Sequence, residues 1–176
     1  MAARGRLKKL DAEALWSYAL RALQRKPHSK QELKQKLKQR AQSDADLNSV
    51  LVKVREYGFI DDRKFSEALA EVRLQNQGFG RMRVLRELRA KRVASDVAAA
   101  AVERAFSGTD EQQLVEQFLA RKYRGKDLGS FLADEKNMMS TYRRLRLAGF
   151  SSSVSLAVLR RHSNRIDEWS EVEEEE

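Results

Sequence analysis

Few side chains in this sequence have the types and spacing that catalysis or metal binding requires. The 176 residues contain no cysteine and only two histidines, His28 and His162. Without cysteine there is no disulfide, thiolate-ligated zinc or thiol nucleophile. His28 follows Pro27 at a helix junction, and His162 ends a helix, where a cation suits the carbonyl end of the dipole. Neither has a second histidine at ligand spacing, so we predict no metal, no cofactor and no enzymatic activity.

The adjacent carboxylates Asp61 and Asp62 allow two interpretations. In isolation the pair could coordinate Mg²⁺, which prefers oxygen ligands. The pair also follows Gly58 and precedes an apolar-periodic segment, which is where residues that cap a helix are found. We favour capping. The turn at 78–81, Gly-Phe-Gly-Arg, is similar to part of a phosphate-binding loop but lacks its lysine–hydroxyl ending.

The chemistry that this sequence does offer is clustered positive charge. Residues 167–176, DEWSEVEEEE, carry seven acids and no base, which leaves +16 on residues 1–166 of a chain with net charge +9. This basic body suits a polyanion, nucleic acid first, although the same side chains could simply solubilise helix faces. The candidate contact residues are Lys34 and Lys38 in a first cluster, Arg81, Arg83, Arg86, Arg89 and Lys91 in a second, and Arg143, Arg144, Arg146, Arg160 and Arg161 in a third.

The second cluster lies on one amphipathic helix. On its helical wheel Val84, Leu85 and Leu88 form the buried stripe, with Arg83 and Arg86 opposite. We therefore expect these guanidinium groups to be free for phosphates or carboxylates. Aromatic residues are 7% of the chain and mostly fall on predicted core faces, so no platform for stacking single-stranded bases is expected. Phosphate contacts alone give salt-sensitive, sequence-indifferent binding.

Nine segments with helical periodicity and capping signals must position these clusters, and none shows convincing β alternation. Capping boxes are predicted at Ser29 with Glu32 and at Thr109 with Gln112. Gly58 is expected to end a helix in a left-handed conformation. We expect the next helix to bear Phe65, Leu69 and Val72, and the loosest stretch, 125–136, to form a turn.

These segments group into an all-α fold of three tandem three-helix units. Aligning Leu37, Leu88 and Leu145 superposes the second helix of each unit. The predicted divisions are 1–60, 61–108, 109–165 and an acidic, disordered tail at 166–176. The tail either acts as a solvated end or competes with nucleic acid for the basic body, and we favour the first.

Targeting signals are not evident in the sequence. Residues 1–10 are basic, but Asp11 and Glu13 interrupt before an apolar stretch can form. The longest apolar run, residues 97–102, is far too short to span a membrane. We expect a cytoplasmic protein without membrane contact.

The segment YGFIDDRKFSEA at 57–68 resembles the central signature of the RecX family, in which a Gly-Phe/Leu-Ile-Asp-Asp junction precedes an Arg/Lys-Phe-Ala-rich helix. The resemblance covers roughly residues 12–162. It departs at Arg92, where the family commonly has glycine, and in the glutamate-rich tail. The signature residues in this sequence are Gly58, Phe59, Asp61, Asp62 and Phe65, and the similarity continues at 19–23, 28–33, 73, 78–80, 85–91 and 144–151.

The resemblance implies an elongated, curved helical repeat protein that binds the RecA recombinase and its filament on single-stranded DNA. Such proteins lodge in the filament groove and suppress ATP hydrolysis, coprotease activity and strand exchange. The family has no catalytic residues to carry over, so the basic residues above are candidate contacts only. We expect a monomer. The alternative is a general, sequence-independent DNA-binding helical repeat protein.

Overall fold

The computed structural model describes residues 8–163, which form ten helices joined by short connections. The only bridge of β type within these residues joins Leu10 and Ala41. The predicted all-α fold is confirmed, whereas the predicted tail at 166–176 lies outside the described residues. The helices are α1 (Ala12–Arg25), α2 (Lys30–Lys38), α3 (Asp44–Glu56), α4 (Asp62–Gln77), α5 (Arg81–Ala90), α6 (Ser95–Ala105), α7 (Glu111–Lys122), α8 (Leu128–Leu132), α9 (Glu135–Ala148) and α10 (Ser152–His162).

The described chain packs into two compact units. The first comprises residues 8–69 and 87–101, and the second comprises residues 70–86 and 102–163. The helices α4, α5 and α6 therefore each contribute residues to both units. The division into three tandem units stays a prediction. No described helix has the length and apolar character needed to cross a bilayer.

In the first unit, α1, α2 and α3 pack around one apolar core. The predicted capping box is present: the Ser29 hydroxyl accepts from the Glu32 amide at 3.1 Å, and the Glu32 carboxylate accepts from the Ser29 amide at 3.2 Å. Gly58 follows α3 with φ +66°, as predicted. The fully buried side chains of this core include Leu15, Leu33, Leu37, Val50 and Val54.

In the second unit, α10 packs against α7, α8 and α9. The Glu111 carboxylate, at the start of α7, accepts from the amide and the hydroxyl of Ser151, both at 2.8 Å. It thereby anchors the residue that caps α10. The fully buried side chains of this unit include Phe106, Leu119, Leu132, Leu145, Phe150 and Leu159.

Three local predictions were wrong. Asp110, not Thr109, caps α7, because its carboxylate accepts from the Gln112 amide at 2.8 Å. The buried residues of α4 include Ser66 and Ala70, while Val72 is 45% exposed. Residues 128–132 form the short helix α8 instead of a turn. The Asp127 carboxylate caps it, and hydrogen bonds from Ser130 and Gly129 lower the pKa of that carboxylate.

The end of α9 docks onto the start of α5 within the second unit. Gly149 ends α9 in a left-handed conformation with φ +93°. The Gly80 amide donates to the Ala148 carbonyl at 2.9 Å, and the Met82 amide donates to the Gly149 carbonyl at 3.1 Å. A Cβ on Gly80 would overlap the Gly149 carbonyl, and a Cβ on Gly149 would overlap the Arg83 amide. Both glycines are therefore needed for this junction.

A similar junction in the first unit joins the end of α5 to the start of α2. Arg92 has φ +59°, and the Val93 amide donates to the Leu88 carbonyl at 3.2 Å, which closes the helix. The Ser29 hydroxyl donates to the Lys91 carbonyl at 2.5 Å. Arg92 thus adopts the left-handed conformation that glycine favours, at the position where the sequence departs from the resembled family.

Replacing Gly149 by alanine should destabilise the second unit by about 3 kcal/mol, because strain from the positive φ adds to a steric clash with Arg83. The matched control is Gly108→Ala, since Gly108 has φ +72° and open space around its Cβ position. That variant should lose only about 1 kcal/mol. Urea unfolding measures both, and equal losses would contradict the close packing at Gly149.

Arg92→Gly should be more stable than Arg92→Ala by about 1 kcal/mol, because only glycine adopts this backbone conformation without steric cost. Both variants lose the same guanidinium contact. With its amide oxygen facing Arg92, Gln35 accepts from that group at 2.6 and 3.1 Å. Thermal unfolding of the pair isolates the backbone contribution. Indistinguishable melting temperatures would argue against a left-handed residue at this position.

Candidate functional site

The Asp61–Asp62 pair caps two helices. One Asp61 carboxylate oxygen accepts from the amides of Arg63 and Lys64 at 2.9 and 3.1 Å, in the first turn of α4. The Asp62 carboxylate accepts from the Lys30 amide, at the start of α2, at 2.7 Å. The capping interpretation is confirmed. Within residues 8–163, no group of three His, Cys, Asp or Glu side chains could hold a metal ion.

The two histidines both have structural partners. His28 is buried, and its Nδ1 lies 2.8 Å from the Lys26 carbonyl oxygen. Burial lowers the pKa of His28; the hydrogen bond to the Lys26 carbonyl opposes this shift, and the nearby cations Lys36 and Lys26 add to it, so the pKa lies below its ordinary value. His162 Nε2 lies 2.6 Å from a Glu116 carboxylate oxygen, which ties α10 to α7. Neither arrangement presents a base to an open site.

Arg81, Arg83 and Arg86 at the start of α5 bind other parts of the second unit. Arg81 pairs with Glu103 at 2.6 Å and donates to the Phe106 carbonyl at 3.0 Å. The Arg83 guanidinium lies 3.7 Å from the centre of the Phe79 ring. Arg83 also donates to the Leu147 carbonyl at 3.5 Å, and Arg86 donates to the same carbonyl at 3.3 Å. The expectation that these guanidinium groups are free is wrong.

Lys91 is also engaged, within the first unit. Its ammonium group pairs with the Glu32 carboxylate at 3.0 Å and lies 5.8 Å from the centre of the Phe65 ring. Burial acts to raise the pKa of Glu32, but hydrogen bonds from Lys91 and from the Ser29 amide outweigh it, so the pKa is lowered overall. Lys91 therefore stabilises the junction of α5 with α2, and signature residue Phe65 packs there too.

The remaining predicted contact residues differ in the exposure of their side chains and in the partners that these side chains have within the chain. Lys34, Lys38, Arg89, Arg143 and Arg144 are exposed, and none of their side chains forms a hydrogen bond or ion pair with another described residue. Arg146 donates to the Phe150 carbonyl at 2.8 Å. Arg161 donates to Gln112 at 3.2 Å and lies 3.8 Å from Glu116, while Arg160 is half-buried. Arg143 and Arg144 are consecutive on α9, where they form the densest pair of available cations among the predicted contacts.

An open groove of about 640 Å³ lies between α5 and α9 in the second unit. Its apolar surface includes Met82, which is 50% exposed, and Leu147, which is 64% exposed. Apolar surface combined with arginine is typical of protein interfaces. We call this feature the α5–α9 groove; it is lined by Met82, Arg86, Met139, Tyr142, Arg143, Arg146, Leu147 and Phe150.

Sequence reasoning missed an aromatic cluster in the first unit. Tyr57 and Phe59 are 66% and 49% exposed, and their rings stack with centres 5.9 Å apart. Trp16 packs against both, at 5.7 and 6.1 Å. Exposed Trp and Tyr side chains are common anchors in interfaces. This cluster is an exception to the expectation that aromatic residues mostly fall on core faces, and Val52, also exposed, lies on the preceding helix.

Two matched double variants test separately which arginines stabilise the fold and which bind a partner. Arg83→Glu with Arg86→Glu places acids beside the carbonyl end of α9, so we expect a loss of about 2–3 kcal/mol in unfolding free energy. Arg143→Glu with Arg144→Glu changes exposed, unpaired side chains, so we expect a loss below about 0.5 kcal/mol. The second pair should nevertheless weaken binding to single-stranded DNA and reduce its salt slope by about 1–2.

Urea unfolding and fluorescence-polarisation titrations at several salt concentrations measure these effects. Unchanged stability of the Arg83/Arg86 variant would mean that the carbonyls of α9 do not depend on these guanidinium groups. Unchanged DNA affinity of the Arg143/Arg144 variant would mean that this exposed pair only keeps the surface hydrated.

Comparisons with known proteins agree with the helical organisation. Family models for the first and the second three-helix domain of RecX match residues 16–53 and 61–102. "Regulatory protein RecX" of Thermobifida fusca is 34% identical over 103 residues, which are 58% of this chain and 55% of that protein. The chain thus matches little more than half the length of that relative. The protein of the same name from Chromohalobacter salexigens is 31% identical over 105 residues, covering 60% of this chain and 67% of that protein.

The fold is similar to a solved RecX structure from Lactobacillus salivarius, with a TM-score of 0.62 and 16% identity over 86% of this chain and 96% of that one. This likeness supports the helical architecture independently of close sequence similarity. The Chromohalobacter relative and the two domain matches show the family: the chain belongs to the RecX family of regulatory proteins.

Proposed function

We propose that this chain is a non-enzymatic regulator that binds the RecA recombinase filament on single-stranded DNA and suppresses its ATP hydrolysis, coprotease activity and strand exchange. The observation that carries the proposal is membership of the RecX family, whose relatives are named regulatory proteins. RecA as the partner follows from the family resemblance. The protein acts as a monomer in the cytoplasm, in recombination regulation, DNA repair and the SOS response, and needs no cofactor.

The available surfaces suit a partner made of protein and nucleic acid together. Arg143 and Arg144 offer cations that are not used elsewhere in the described residues. Met82 and Leu147 offer exposed apolar area beside them. A RecA filament presents both protein side chains and DNA phosphates, whereas bare DNA would leave much of this apolar area exposed to water.

The RecA filament is a linear polymer, so the binding of one regulator can affect many RecA protomers. One regulator that occupies the filament groove contacts several RecA protomers, and one that binds a growing end blocks all later additions. Either mode predicts inhibition at substoichiometric protein. Competition for DNA would instead require enough protein to cover the strand.

The second candidate is a general DNA-binding protein, and the exposed cations Lys34, Lys38 and Arg89 favour it. Contacts from these side chains to phosphates would be sequence-independent. Their affinity for bare DNA would fall steeply with salt.

The decisive assay uses RecA already assembled on single-stranded DNA with no free DNA lattice. We expect substoichiometric addition of this protein to reduce RecA ATP hydrolysis severalfold, because it acts on the filament and not on exposed DNA. Steady-state phosphate release measures the effect. Raising the salt from about 50 to 200 mM should weaken bare-DNA binding about tenfold or more, while inhibition of the assembled filament should weaken less.

The Arg143→Glu, Arg144→Glu variant is the control in that assay, since we expect it to keep the fold and to lower binding through this exposed surface. If the wild-type protein leaves the ATPase of the saturated filament unchanged over a wide concentration range, regulation of the filament is ruled out. Retained binding to bare DNA would then support the second candidate.

A further inference from the structure

We propose that the acidic segment 167–176 of this same chain, for which the sequence alone favours a solvated end, docks into the α5–α9 groove and competes there with the protein's partner. The segment has the sequence DEWSEVEEEE and lies outside the described residues. The docking itself needs only this chain, whereas its effect on partner binding rests on the proposed function.

The groove presents cations beside exposed apolar surface. Arg86 and Arg146 are held in place by hydrogen bonds to backbone carbonyls, at 3.3 Å to Leu147 and 2.8 Å to Phe150. The Arg143 side chain makes no hydrogen bond or ion pair with another described residue. Leu147 and Met82 are at least half exposed. The only acid of α9, Glu135, does not line this groove, so the groove suits an acidic ligand that also has apolar side chains.

The segment has this combination of groups. Seven of its ten residues are acids, and the other three include Trp169 and Val172. Trp169 and Val172 are three positions apart, so they can both contact one apolar strip in either a helical or a bent arrangement. The acids on both sides of them can then meet arginines at the rim of the groove.

The connection is long enough for this contact. The last described residue, Ser163, follows α10, whose first residue, Ser152, has its hydroxyl 2.7 Å from the hydroxyl of the groove residue Tyr142. An eleven-residue helix is ~16 Å long, so the chain leaves α10 about that far from Tyr142. Six extended residues reach up to ~20 Å, which is enough to bring Trp169 from Ser163 to the groove.

Tethering favours this segment over a free acidic ligand. A short flexible connection gives an effective concentration on the order of millimolar. A weak contact, with Kd near 1 mM, is then populated within the chain but is displaced by a partner that binds more of the surface. Arg143 is covered in the docked state, so docking lowers the apparent affinity for a polyanion.

A direct test uses a labelled peptide spanning residues 164–176 and a chain that ends at Ile166. Fluorescence polarisation at low salt should show saturable binding with Kd at or below about 1 mM. The double variant Arg143→Glu, Leu147→Ser should weaken this binding at least about fivefold. The first substitution removes a cation from the groove, and the second removes exposed apolar area. Both side chains are exposed, and circular dichroism checks that the fold is retained.

Lys34→Glu is the matched control, since it causes the same change in net charge on an exposed side chain of the first unit. It should weaken peptide binding less than about twofold. Absence of saturable binding overturns the proposal. Equal weakening by the two sets of substitutions also overturns it, because the attraction would then be unspecific and would not involve the groove.

The functional consequence is tested separately. The chain that ends at Ile166 should bind single-stranded DNA about tenfold more tightly than the full chain at 50 mM salt, with a smaller gain at high salt. The same truncation in the Arg143→Glu, Leu147→Ser background should give a smaller gain. If the peptide docks but neither the full chain nor the truncated chain inhibits the ATPase of RecA filaments, the docking stands and the proposed function fails, so the two failures are distinguishable.

Discussion

The second unit depends on satisfying the carbonyl groups at the end of α9. A helix end that is covered by protein must find donors for its last carbonyls, since water cannot reach them. Here the donors are the Gly80 and Met82 amides at the start of α5. These amides can approach because neither Gly80 nor Gly149 carries a Cβ, and because Gly149 turns the chain into the left-handed region. The partial positive charge at the start of one helix thus meets the partial negative charge at the end of another.

This constraint explains why the densest basic cluster is not the most available one. Arg83 and Arg86 project from the first turns of α5, directly beside the carbonyls that need donors. The Gly78–Gly80 turn could have been expected to hold a phosphate, but its Gly80 amide is used for the same purpose. The helix end takes the place that an anion would occupy. Positive charge in this part of the sequence therefore contributes to the fold before it contributes to any partner.

The features predicted correctly from the sequence depend on neighbours within about four residues. The capping box at Ser29, the cap at Asp61 and the helix end at Gly58 are of this kind. Some errors were also local, such as the cap of α7 at Asp110. The error that matters for the candidate site concerns contacts over some sixty residues, such as Arg86 with Arg146. A helical wheel identifies the buried stripe of α5, but it does not reveal a second partner packed against the opposite side. The exposure of Tyr57 and Phe59 was not predicted because they follow a helix end, where periodicity no longer reports burial.

Net charge therefore overstates the surface that a partner can use. Cations that are bound to carbonyls of their own chain and cations that are exposed contribute differently to binding. A guanidinium bound to a carbonyl of its own chain adds to the electrostatic field but releases few counterions when DNA binds, since it cannot leave its partner without loss of stability. Exposed cations such as Arg143 contribute salt-dependent affinity, while adjacent apolar side chains contribute affinity that salt does not weaken. On α9 these two contributions occur side by side. A partner that combines acids with apolar groups gains from both, whereas a bare polyanion gains from one.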